Sequence, residues 1–441
     1  MSYEMIAIFM FSVMMLMLLT GQRVFGAIGG VAALAALMLW GVGGSDIPFS
    51  AVMKLMKWYP LLTLPMFIFM GYVLSESKIA DDLYRMFHVW MGGTAGGLAI
   101  GTIGLMVLIS AMNGLSVAGM AIGATIALPE LLKRGYDKRM ITGVIQAGSS
   151  LGILVPPSVV LVLYAMIARQ PVGQLWLAGV IPGLMMAAMF MLYIWLRCRV
   201  NPDLGPPLTA EERASISRAE KLKLLRAGIL PLAIFFAMMF PFVKGWTSLT
   251  ESSAIGALTA FGAAVLKGRM TREVFENSVR NTLGISCMFM WIIVAAMGFG
   301  AVFDGLGAVK AIESLFTEKL GLEPWMILVL MQLSFLIMGS FLDDTAMLVI
   351  VAPLYIPLVR ALGFDLIWYG VLYTITTQIA YMTPPFGYNL FLMRAMAPPQ
   401  ISMRDIYASI WPFVVVMLLA LTLIMVFPQI ALWLPNLIYN K

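Results

Sequence analysis

"GSSLGILVPPSVVLVLYAM" occupies residues 148–166, and "TTQIAYMTPPFGYNLFLM" occupies 376–393. Each stretch is apolar enough to lie inside a membrane, yet each carries two adjacent prolines near its middle, Pro156 with Pro157 and Pro384 with Pro385. Proline has no N–H and frees the carbonyl four residues back. Irregular backbone at membrane depth is costly unless it is buried or lines a wet cavity. Both stretches therefore predict broken membrane helices, and the breaks are the first candidates for function.

The two proline pairs are 228 residues apart. The same offset carries Pro129 onto Pro357, Gly135 onto Gly363 and Asp137 onto Asp365, so "LPELLKRGYDKRM" echoes "IPLVRALGFDLIW". With two residues inserted, "LAGVIPG" (177–183) meets "YASIWPF" (407–413). A shared register over this distance predicts an internal duplication.

The rest of the chain fits a polytopic all-α membrane protein. Of its 441 residues 61% are hydrophobic and only 11% charged. Apolar runs long enough to span recur along it. The longest polar stretch, 199–226, is a cytoplasmic linker rather than a second domain. Cys198 and Cys287 have no disulfide or zinc spacing. The net charge of +6 is ordinary where basic residues crowd cytoplasmic loops, and nothing indicates nucleic-acid binding. "MSYEM" has no basic character, so no cleaved signal peptide is expected. His88, beside Trp90, reads as interfacial, the methionines as lipid-facing or packing residues, and 209–226 as a solvated helix.

The first repeat is predicted over 1–198. It has scaffold helices in 1–75 (about 4–20, 24–42 and 50–75), an amphipathic arm at 76–94, a hairpin at 96–131, a broken helix at 139–169 and a closing helix at 174–198. The second covers 227–441, with scaffold helices in 227–302 (227–244, 249–266 and 282–302), an arm at 303–322, a hairpin at 325–359, a broken helix at 366–396 and a closing helix at 405–434. The hairpins are inferred from small polar clusters, "SAMNGLS" (110–116) and "GSFLDD" (339–344), that split each segment into arms. An arm of about 15 residues reaches only about 22 Å, short of a hydrocarbon core near 30 Å. A re-entrant hairpin leaves each half with five crossings. Five is odd, so the repeats are predicted to be inverted. With both termini outside, all but eight of the 28 basic residues fall on the cytoplasmic side, which favours N-out and C-out.

At the first break the carbonyls of Gly152, Val155 and Pro157 are expected to lose helical partners. Freed carbonyls are hard oxygen ligands that suit Na⁺. Pro157 and Pro385 each suit the first turn of a new half-helix, whose positive end favours an anion. The hairpin tips add Ser110, Asn113 and Ser116 in the first repeat and Gly339, Ser340, Asp343 and Asp344 in the second. An acid deep in a membrane is a functional candidate by default. Ser116, Ser158, Asp344 and Gly387 are the candidates to face a transported anion.

"GSSLGILVPPSVVLVLYAMIA", "GSFLDDTAMLVIVAPLYIPLVRALGFDLIWYGVLYTITTQIAYMTPPFGYNLF" and "IWPFVV" resemble the large membrane (permease) subunit of tripartite ATP-independent periplasmic (TRAP) transporters, over nearly the whole chain. The resemblance implies an elevator-type secondary transporter in a bacterial inner membrane. It implies coupling to at least two Na⁺ ions, a small four-helix membrane subunit, a periplasmic substrate-binding protein, and carboxylate substrates such as dicarboxylates or sugar acids. It implies one Na⁺ site at Ser110, Asn113, Gly152, Val155 and Pro157, and another at Gly339, Asp343, Thr383 and Pro385. One departure is Asn113, where relatives more often have a serine-rich run; an amide oxygen replaces a hydroxyl there. A related elevator transporter that works without a binding protein is the alternative. An intramembrane aspartyl protease is disfavoured, because Asp343 and Asp344 are neighbours in sequence rather than on facing elements.

Overall fold

The computed structural model describes all residues except 1, 2, 21, 58, 78, 115, 209–217, 315–320, 340–343, 385, 386, 440 and 441, and among the described residues every regular element is a helix. Among the described residues four helices are long and apolar enough to cross a membrane by length and composition, Val172–Val200, Leu249–Leu266, Arg272–Gly305 and Met403–Val426. Several shorter apolar helices accompany them, including Tyr3–Met17, Gly97–Ile109 and Pro324–Gly339. The side chains of His88, Ser110, Asn113 and Asp344 also lie outside the described set, as do Lys78 and most of the 209–226 run.

The outer helices of the two halves pack on each other as well as within each half. Val24–Ala35 and Thr63–Glu76 lie against Arg272–Gly305, and Thr63–Glu76 also lies against Leu249–Leu266. Small residues permit close approach without a hydrophobic driving force in lipid. A Cβ on Gly29 would meet Ala295 Cβ at 3.5 Å, an ordinary contact. Ser248 and Glu251 form a reciprocal capping box that fixes where Leu249–Leu266 begins.

Two expected spans are divided. The segment 50–75 consists of Asp46–Met56, a short 3₁₀ turn at Tyr59–Leu62 and Thr63–Glu76. Pro60 accounts for the break, since it cannot donate inside a helix. The closing helix expected at 405–434 ends at Val426, and Gln429–Tyr439 forms a separate helix. Pro428 disfavours helical backbone at Phe427, which sits at φ −120°, ψ 78°. In the other direction, the helix expected at 282–302 runs from Arg272 to Gly305, with Thr271 Oγ1 accepting from Val274 N–H at 3.2 Å to start it.

The same local structure occurs twice at the interval read from the sequence. Before the first broken span, Gly135 N–H donates to Leu132 O (3.0 Å) and Tyr136 N–H to Leu131 O (3.1 Å). Before the second, Gly363 N–H donates to Arg360 O and Phe364 N–H to Val359 O, both at 3.1 Å. Both are helix ends of the Schellman type, which need a left-handed residue; Gly135 has φ 74° and Gly363 φ 78°. Two residues on, Asp137 accepts from Arg139 and Met140 N–H at 3.0 Å each. Asp365 accepts from Ile367 and Trp368 N–H at 2.8 and 2.9 Å. Two backbone bonds and one side-chain cap thus recur 228 residues later.

Candidate ion and substrate site

The first broken span begins as Lys138–Ser150, passes through a 3₁₀ turn at Leu151–Ile153 and resumes as Val159–Ala168. The Pro156–Pro157 bond is cis. Among the described residues no hydrogen bond reaches the carbonyls of Gly152, Val155 or Pro157, whereas Leu151 O accepts from both Leu154 and Val155 N–H. Ser158 has a structural task. Its hydroxyl donates to Ile153 O and accepts from Leu161 N–H at 3.1 Å, capping the resumed helix. Its carbonyl accepts from Trp176 Nε1 at 3.2 Å. Ser158 is buried and its hydroxyl is already committed, so it is not free to face an anion.

The segment expected as the first hairpin divides between Gly97–Asn113 and Ser116–Ile122. Its tip touches the proline break directly. Val159 N–H donates to Gly114 O at 3.2 Å. Gly114 has φ 64°, and a Cβ there would sit 2.1 Å from Pro157 O. Further down the arm, a Cβ on Gly119 would lie 3.3 Å from Ser149 Cα. Ser116 is buried, and among the described residues its hydroxyl has no partner. Free carbonyls and an uncommitted hydroxyl therefore lie in one region, beside the backbone of Ser110 and Asn113.

Leu366–Met382 ends at Thr383, whose N–H and hydroxyl both donate to Ala380 O, at 3.2 and 3.1 Å. Thr383 O accepts from Gly387 N–H at 3.1 Å, which opens Tyr388–Met396. Gly387 is there for close backbone approach: a Cβ would meet Tyr381 O at 2.5 Å and Thr383 O at 2.8 Å. The segment expected as the second hairpin runs as Pro324–Gly339 and Asp344–Ala361. A Cβ on Gly339 would meet Ala380 Cβ at 2.6 Å, so this hairpin also lies on its broken span. Gln332 Oε1 accepts from the Thr376 hydroxyl between the same two elements. Asp343 and Pro385 lie outside the described residues.

Polar side chains that the sequence reading passed over join the halves. Gln378 Nε2 donates to Ser150 O at 2.8 Å, and Gln146 Nε2 reaches Ser409 Oγ at 3.4 Å. Gln146, Gln378 and Asn389 are fully buried. Among the described residues each keeps at least one side-chain polar atom without a partner. The legible signal was an amide inside an apolar run, which is costly unless it is used. Among the described residues no group of three His, Cys, Asp or Glu side chains could hold a metal ion. At the first break the described candidate ligands for a cation are the carbonyls of Gly152, Val155 and Pro157 and the Ser116 hydroxyl.

Comparison with known proteins places the chain. The family described as "Tripartite ATP-independent periplasmic transporter, DctM component" matches residues 11–430. The C4-dicarboxylate TRAP transporter large permease protein DctM of Pseudomonas aeruginosa is 31% identical over 379 residues, covering 86% of each chain. The ectoine TRAP transporter large permease protein TeaC of Halomonas elongata is 27% identical, covering 92% of each. Among solved structures, the Alcanivorax borkumensis YdaH transporter aligns with a TM-score of 0.59 at 16% identity over 90% of each chain, a likeness of fold alone.

Proposed function

The chain belongs to the DctM family of tripartite ATP-independent periplasmic transporters, and from that premise we propose that it performs sodium-coupled uptake of an organic carboxylate by elevator-type alternating access. It is a multi-pass membrane transporter and not an enzyme. In this reading two inverted repeats form a moving body of hairpins and broken spans, set against a scaffold of outer helices. The single observation that carries it is the seat of the Gly114 tip on Pro157, with the carbonyls of Gly152, Val155 and Pro157 left free of hydrogen bonds among the described residues. Unwound carbonyls near a helix break suit Na⁺, and the half-helix beyond suits an anion.

The first Na⁺ site is assigned to Ser110, Asn113, Gly152, Val155 and Pro157, the second to Gly339, Asp343, Thr383 and Pro385. Ser116 and Gly387, with Asp344 on the second hairpin, border the anion. The recurrence of caps and turns at one offset supports a duplicated moving body; its inversion rests on the odd count of crossings. Relatives named for C4-dicarboxylate and ectoine support a small acid-bearing solute. A small four-helix membrane subunit and a periplasmic binding protein complete the system, in a bacterial inner membrane with both termini outside. The DctM match favours this tripartite arrangement over a transporter acting alone.

The test is uptake by proteoliposomes that hold both membrane subunits and are supplied with loaded binding protein. Uptake should require an inward Na⁺ gradient. Uptake that persists unchanged with K⁺ in place of Na⁺ would sink the coupling, and uptake unchanged without the binding protein would sink the tripartite arrangement.

A further inference from the structure

Among the described residues four buried polar atoms on three neighbouring elements have no partner: Ser116 Oγ, Gln146 Oε1, and both Oδ1 and Nδ2 of Asn389. Ser116 opens the second arm of the first hairpin, Gln146 lies in Lys138–Ser150, and Asn389 is the second residue of Tyr388–Met396. These three elements pack on one another. Ser116 is 5% exposed, Gln146 and Asn389 0%.

Placement of the ends brings Ser116 and Asn389 together. Ala124, Leu128 and Lys133 on the hairpin arm, and Met396 and Gln400 at and beyond the end of the half-helix, line a single cavity of about 510 Å³. The arm and the half-helix therefore run side by side in the same direction, and their starts share the opposite end. Helical side chains lean toward the N terminus of their own helix. The Asn389 amide thus covers the start of its half-helix, where N–H groups lack helical acceptors and the dipole is positive.

The two buried amides differ in what they leave open. Gln146 has spent its Nε2 on Thr142 O (3.2 Å) and Ser409 Oγ (3.4 Å), so only its oxygen is free. Asn389 has spent nothing. A buried amide without partners is less stable than an apolar side chain of the same shape, so a ligand that bonds to both of its atoms accounts for its place here.

We propose that Asn389 reads the transported anion: Nδ2 donates to a carboxylate oxygen, and Oδ1 accepts from a hydroxyl on the adjacent carbon. The site then selects 2-hydroxycarboxylates over the corresponding deoxy acids, with the Ser116 hydroxyl donating to the same carboxylate. This rests on the carboxylate reading above.

The test uses the purified complex of the two membrane subunits at fixed Na⁺, with L-malate and succinate as probes, since they differ only by the hydroxyl. Thermal unfolding of the wild type should rise at least about twice as far with malate as with succinate, a stabilisation that grows with ligand over Kd. In Asn389→Leu the two shifts should become equal; Asn389→Ser, which disturbs packing differently, should narrow the gap. Equal shifts in the wild type, or a malate preference kept in both variants, overturn the proposal. If neither probe shifts the wild type while the complex is folded, the carboxylate reading fails first and this inference falls with it.

Discussion

Gln378 Nε2 donates to the carbonyl of Ser150 at 2.8 Å, and the two residues are 228 positions apart, the interval that separates the two proline pairs. An operation that exchanges the halves would carry Ser150 onto Gln378. In the proposed repeat arrangement, residues so related meet where the axis passes, and this bond would lie on it. Both residues are fully buried. Gln378→Leu should leave the Ser150 carbonyl without its donor and destabilise the protein by about 1–2 kcal/mol, the cost of an unpaired buried acceptor. The thermal midpoint of the detergent-solubilised chain checks this; an unchanged midpoint would mean that the bond contributes nothing across the halves.

Asp137 and Asp365 carry out one task at two places. Each accepts two backbone N–H groups at the start of a broken span, at distances of 2.8 to 3.0 Å. Removing such a cap costs about 1 kcal/mol, and asparagine replaces aspartate at this position with little loss. Asp137→Ala and Asp365→Ala should therefore lower the thermal midpoint by similar amounts. Asp137→Asn and Asp365→Asn should stay close to the wild type. A large loss at only one of the two positions would show that the halves do not use their caps alike.

What was legible in the sequence was what repeats or breaks a rule. The proline pairs, the Gly135/Gly363 turns and the Asp137/Asp365 caps stood out because only a few residue types satisfy those backbone demands. Helix limits were less legible where hydropathy continued through a proline: Pro60 and Pro428 divide segments that are apolar on both sides. The committed hydroxyl of Ser158 could not be read either. It depends on Ile153 O and Leu161 N–H coming within reach, and that is set by the path of the break rather than by composition. Asn389, Gln146 and Gln378 were visible as amides in apolar runs. Which of their atoms lacks a partner is a property of packing alone.

Asp343 was singled out because an acid within an apolar hairpin is expensive to bury unless it meets a cation. If it serves the second Na⁺ site, Asp343→Asn keeps one oxygen ligand and removes the charge. The Na⁺ concentration for half-maximal uptake should rise several-fold, roughly tenfold for a loss of 1.4 kcal/mol. Uptake measured against Na⁺ at saturating substrate checks this. Matching curves for variant and wild type would remove Asp343 from the site.

Gly114 offers the sharpest separation of backbone strain from site geometry, because Gly135 shares the first and lacks the second. Both have positive φ, 64° and 74°, so alanine at either position costs about 1–2 kcal/mol from conformation alone. A Cβ on Gly135 would meet nothing within 4 Å. A Cβ on Gly114 would meet Pro157 O at 2.1 Å and Pro157 C at 3.2 Å. These are backbone atoms of the break and cannot rotate aside, so the tip must lift away and carry the Gly114 carbonyl off Val159 N–H. Gly135→Ala should lower stability and leave uptake within about twofold of the wild type, whereas Gly114→Ala should lose about tenfold or more, equivalent to 1.4 kcal/mol or more in the transport barrier. Its dependence on Na⁺ should shift as well. Equal uptake and equal Na⁺ curves for the two variants would mean that the hairpin tip does not work where it touches the proline break.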